Sequence, residues 1–166
     1  MPFDVQLISS PEFREQIERE LTENILPFWM TYTVDKANGG FYGAVTNDLV
    51  VHNEVPRSST LCARILWTYS TAYRRLGEEQ YLSMARRAYD YLTQVFWDED
   101  NSKIQPWLME LIGAAISPAA LPFLLERLRD DHELVRYWAV RGLQQLDTKE
   151  ARTALWRAGV ATRAQD

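Results

Sequence analysis

The chain has 166 residues, 46% hydrophobic and 25% charged, the proportions of a globular protein that buries a core. A net charge of -5 argues against a nucleic-acid footprint, and the single cysteine, Cys62, excludes an intrachain disulfide framework and suits a reducing cytoplasm. Met1-Pro2-Phe3-Asp4 lacks the basic-then-apolar pattern of a secretory leader, and no apolar run approaches the roughly 18 residues of a membrane span, so a cytoplasmic protein without a membrane partner is expected.

In chain order, Ser10-Pro11-Glu12 predicts a helix start, with Ser10 as the cap and Pro11 in the first turn. Phe13, Ile17, Leu21, Ile25 and Phe28 recur at helical spacing and predict one apolar face, ending near Phe28 or Met30. Asn38-Gly39-Gly40 is a turn signal. The β-prone runs Phe41–Val45 and Leu49–Val51 flank Thr46-Asn47-Asp48, so residues 38–52 read as a small hairpin or extended loop. A second helix begins at Arg57-Ser58-Ser59-Thr60, carries Leu61, Ile65, Thr68, Ala72 and Leu76 on one stripe, and ends at Gly77. A third starts at Glu78, with Tyr81, Leu82, Ala85, Ala88, Tyr89, Leu92 and Phe96 apolar, and polar residues 97–102 end it.

Beyond Pro106 short helices follow one another: Trp107–Ile116, Ser117 to about Arg129, Glu133–Leu146, and Lys149 to about Ala158. Val160–Asp166 reads as a frayed tail. This stretch repeats internally. A shift of 31 positions aligns Leu108 with Ala139, Ile112 with Leu143, Ala115 with Leu146, Ser117 with Thr148, Ala120 with Ala151 and Leu124 with Leu155. Each helix pair has an apolar face that it buries only by stacking on the next. Charge shifts at the same place: residues 1–103 carry the whole net charge of -5, whereas 104–166 balance. Two domains are therefore expected, 1–103 and 104–166, with a seam near Ser102-Lys103-Ile104.

Chemistry-bearing residues are sparse. The chain has two histidines: His52 lies in a polar loop, and His132 at a helix start. Cys62 reads as a buried thiol. The Arg74-Arg75 and Arg86-Arg87 pairs read as ordinary helix-surface charges. No metal site is expected, because Asp98, Glu99 and Asp100 lack calcium-loop spacing and His and Cys are too few. Gly39-Gly40 with Gly43 lacks the Lys-Ser/Thr of a phosphate loop, and no cofactor is expected. The six Trp and eight Tyr fit bulky core packing or an aromatic ligand-binding surface.

Residues 10–98 resemble the start of the N-acylglucosamine 2-epimerase and cellobiose 2-epimerase family. The resemblance rests on Asn24-Ile25-Leu26-Pro27-Phe28-Trp29-Met30, on residues 35–43 (Asp35 to Gly43), on Thr46-Asn47-Asp48 and on residues 63–70 (Ala63 to Ser70). Residues 107–158 resemble short HEAT-type repeats, on residues 120–130, Leu134-Val135-Arg136 and residues 139–143, with Asp131 and Val135-Arg136 spaced like the ladder between such repeats.

The first resemblance implies paired helices around a sugar cleft, an (α/α) toroid of which this chain would hold an incomplete part. It also implies a pair of histidines that move the proton at the sugar's second carbon and an arginine that stabilises the enediolate oxygen. Only the arginine carries over: Arg64, in Ala63-Arg64-Ile65-Leu66-Trp67, matches the family's active-site arginine. Its bland reading is a relic side chain, solvated or paired with Glu54 or Asp90. Tyr42 and Asn47 fall where the family's loop approaches the cleft, and Cys62 stands where an asparagine is expected. His52 and His132 sit in no matching motif.

The expected fold is all-α: helical hairpins of an incomplete toroid followed by HEAT-like repeats. The expected function is a non-enzymatic scaffold or protein-binding module whose partner is another protein, or a second copy meeting the fragment's open edge. Two alternatives stand beside it. One is residual sugar binding, or 2-epimerase activity completed by another chain. The other is a chimera or mobile-element fusion without an evolved function.

Overall fold

The computed structural model describes residues 10–98 and 105–160. The residues read as the leader-free N-terminus, most of the seam and most of the terminal tail lie outside these. The fold is all-α, with one two-stranded ribbon. Its two compact units are Met1–Pro56 and Arg57–Asp166.

In the first unit, α1 (Pro11–Arg19) starts at Ser10, whose Oγ accepts the Phe13 N–H at 3.2 Å. The helix widens into π-helical turns over Glu20–Ile25 and resumes as α2 (Leu26–Tyr32). Pro27 accounts for the widening. It has no N–H for the Glu23 carbonyl, and its ring would collide with that oxygen in a regular helix. The ladder shifts instead, and the Leu26 N–H reaches back five residues to Leu21 O.

The change of period overturns the expected apolar stripe. Leu26 is buried, while Ile17, Ile25 and Phe28 are exposed, because extra residues per turn rotate everything downstream. The helix also runs past Phe28 and Met30 to Tyr32.

The turn at residues 35–40 is organised by buried Asp35. Its Oδ1 accepts the Ala37 and Asn38 N–H groups at 3.0 and 2.9 Å, and its Oδ2 the Asn38 side-chain amide at 3.0 Å. Gly39 and Gly40, at φ 78° and 62°, supply the left-handed backbone that this turn needs. An isolated bridge joins Val34 to Phe41, and β1 (Ala44–Val45) pairs antiparallel with β2 (Val51–His52). The small β element read at 38–52 is present.

The second unit is a stack of three helical hairpins. In the first, α3 (Ser59–Leu76) packs along α4 (Glu79–Tyr91). Ser58 Oγ accepts the Leu61 N–H, and Gly77, at φ 75°, ends α3. Ile65, Leu66, Tyr69 and Ala72 meet Tyr81, Leu82, Ala85 and Ala88 in a shared core. At its end α4 widens into π-helical turns over Leu92–Phe96, where the Thr93 hydroxyl donates to Tyr89 O at 3.0 Å and competes with the ladder.

The second hairpin is α5 (Gln105–Ala114) and α6 (Leu121–Arg127), the latter preceded by a 3₁₀ turn at Pro118–Ala120. The third is α7 (Glu133–Leu146) and α8 (Lys149–Arg157). The 31-residue register holds in three dimensions. Leu108, Ala139, Ile112, Leu143, Ala120, Ala151, Leu124 and Leu155 are all buried. The corner residues Ile116 and Asp147, also 31 apart, are both left-handed, at φ 48° and 47°.

Candidate functional site

The first hairpin is joined to the second by specific contacts. The Arg74 guanidinium, on the last turn of α3, donates to Ile116 O at 2.5 Å and Ala115 O at 3.4 Å. These carbonyls lie at the C-terminal end of α5, where helix oxygens lack internal partners and a cation is favoured. Arg74 is therefore no ordinary surface charge, and nothing in its sequence neighbourhood announces the role.

Across the stack, Phe123 of α6 meets the edge of Trp97 at 5.1 Å and of Tyr89 at 6.1 Å, while Arg127 lies over Trp97 at 4.9 Å and over Phe123 at 5.1 Å. Arg127 also pairs with Asp130 at 3.3 Å. The buried side chain of Gln105, at the start of α5, donates to Asp98 O at 2.8 Å.

The corners of the stack are held by arginines too. Arg136 donates to Asp130 O at 2.6 Å and Asp131 O at 2.8 Å. The expected ladder between repeats is thus a clamp within one corner. The long side chain of Arg136 folds back to backbone carbonyls five and six residues earlier, which a helix start presents at short range. Arg152 holds Asp147 O at 2.6 Å.

Arg64 lies exposed on α3, beside Trp67, which is 53% exposed. Among the described residues Arg64 makes no ion pair, and the solvated reading is the one observed. Glu54 is engaged by His52 at 2.6 Å, and a backbone N–H and then this bond hold its carboxyl below the usual range. Two residues before Arg64, Cys62 is buried, and burial pushes its thiol up to about 11. It is a protonated core group, as its apolar helix position suggested.

Tyr42 is half-buried in the first unit, its N–H donating to Thr33 O at 2.9 Å. Asn47 is exposed in the tight turn closed by Thr46 and Val50. His132 caps α7, its Nδ1 accepting the Leu134 N–H at 3.3 Å. Both histidines are thus tied to local contacts. Among the described residues no cluster of His, Cys, Asp or Glu could hold a metal ion, and no helix is long and apolar enough to cross a membrane.

A family model described as HEAT repeats matches residues 89–164, so it begins inside α4, before the 107 read from the repeat pattern. The chain is 47% identical to a cellobiose 2-epimerase of Bacteroides fragilis over 87 residues, 52% of this chain and 22% of that protein. A cellobiose 2-epimerase of Eubacterium cellulosolvens is 42% identical over 84 residues, 51% of this chain and 20% of its own length. One of Dictyoglomus turgidum is 31% identical over 103 residues, 62% of this chain and 26% of its own length. The chain spans about a fifth to a quarter of the curated relatives it matches. It is a chain of two similarities: over about half its length to cellobiose 2-epimerases, and from residue 89 to HEAT repeats.

Proposed function

We propose that the chain is a non-enzymatic helical scaffold that binds protein, in which an epimerase-like hairpin serves as the first layer of a repeat stack. The observation that carries this reading is the joint between α3–α4 and α5–α6. Arg74, Tyr89 and Trp97 of the first hairpin are committed to holding the second. A hairpin used as an end layer shields the apolar face of the first repeat, which a short stack needs.

The loss of chemistry points the same way. Proton transfer at a carbon beside a carbonyl needs bases within hydrogen-bond reach of it. The two histidines of the chain serve a loop pair with Glu54 and a helix cap. An exposed Arg64 without such bases has an oxyanion to stabilise only if another group generates it.

The test is direct. Purified protein incubated with cellobiose, mannose or N-acetylglucosamine is expected to form no 2-epimer by chromatography. Turnover that survives purification and is lost in Arg64→Ala would overturn the reading and favour an epimerase.

A further inference from the structure

We infer that the outward face of α7 docks a second copy of this chain across a twofold axis centred on Tyr137. The inference deepens the scaffold reading and rests on it by naming the partner.

Its first support is the stack itself. The face of α5 around Gly113 is covered by α7: a Cβ on Gly113 would lie 3.1 Å from Trp138 O and 3.5 Å from Gly142 Cα. Thirty-one residues on, the same face of α7 carries Tyr137, Arg141 and Gln144, the equivalents of Pro106, Glu110 and Gly113. All three are exposed, Tyr137 by 50%, and Leu134 beside them by 51%. The established repeat-to-repeat interface therefore continues onto a face that lies open among the described residues.

The second support is charge. Glu133 and Arg141 lie eight residues apart, with Tyr137 midway. Along a helix that is about 12 Å, at roughly 1.5 Å per residue. Neither makes an ion pair among the described residues.

An identical helix laid antiparallel with the axis at Tyr137 places Glu133 of each copy beside Arg141 of the other, twice over. It also sets Tyr137 against its own copy and Leu134 against Val140. A second copy supplies this complementary pattern by symmetry alone, as twofold dimers do.

The test is sedimentation equilibrium of the full chain over a range of concentrations. A reversible dimer of twice the 19.3 kDa chain mass is expected. Arg141→Glu opposes like charges twice and should weaken association by about ten-fold or more. Adding Glu133→Arg re-forms both pairs and should restore it. Tyr137→Lys should leave a monomer.

Arg86→Glu makes the same charge change on exposed α4 and should leave the dimer intact. A wild-type monomer at every concentration overturns the inference. So does a dimer indifferent to Arg141→Glu or Tyr137→Lys, a double variant without rescue, or equal weakening by Arg86→Glu. Circular dichroism checks that each variant folds, and a replacement that unfolds at one position leaves the others to decide. None of these outcomes touches the epimer assay, so the two readings fail separately.

Discussion

At the scale of single residues, position in the helix decides what a familiar side chain does. Arg64 and Arg74 share helix α3, ten residues apart; one is solvated, and the other ends on the carbonyls of Ala115 and Ile116. Cys62, on the same helix, shows the opposite extreme. Burial raises its thiol from 9.0 to about 11, so the folded state holds the proton more tightly than the unfolded chain. Its stabilising contribution is full below pH 9.0 and is lost as pH rises through about 11. At pH 8 a thiol reagent should therefore label the native protein far more slowly than the chain in denaturant. Equal rates would mean that Cys62 is not in the core. The burial of Cys62 was legible from its place on an apolar helix stripe. The role of Arg74 was not, because its partners lie about forty residues away.

At the scale of elements, caps and turns were the most readable features, since each is a local agreement between side chain and backbone. Ser10, Ser58 and Thr148 all accept the amide three residues on, and Gly77 takes the left-handed backbone. The first helix was misread for a local reason as well. Pro27 was visible in the sequence, but a fixed 3.6-residue period carries no term for the turns that widen ahead of it. Close helix contacts are equally hard to see in a sequence. Gly142 sits where a Cβ would come within 2.9 Å of Gly113 Cα and 3.0 Å of Leu124 Cδ1. Alanine would gain about 1 kcal/mol of helix propensity. Overpacking against a backbone atom costs about 1–3 kcal/mol. The contact should prevail, and Gly142→Ala should lower the urea midpoint with an unchanged slope. A raised midpoint would mean that α5 and α7 can move apart freely.

At the scale of the whole molecule, the seam in sequence and the division in space are different things. The change in motifs and charge falls near residue 103, whereas the compact units divide between Pro56 and Arg57. A hairpin that resembles an epimerase therefore folds in the unit whose later hairpins match HEAT repeats. If Arg57–Asp166 unfolds as one body, weakening the joint should be felt throughout it. Phe123→Ala, which strips the ring from Trp97 and Tyr89, should cost about 3 kcal/mol. Amide exchange should then accelerate together in α3–α4 and α5–α8. Acceleration confined to α5–α6 would show two bodies. The left-handed corners at Ile116 and Asp147 carry one more consequence. The second corner is tied by its own Arg152, but the equivalent position in the first is Leu121, and the tie comes from Arg74 of the preceding hairpin. The first repeat thus arrives with a socket it cannot fill. A helical hairpin from any source could be transplanted in front of it, provided that a long cation stands one turn before the hairpin's closing glycine.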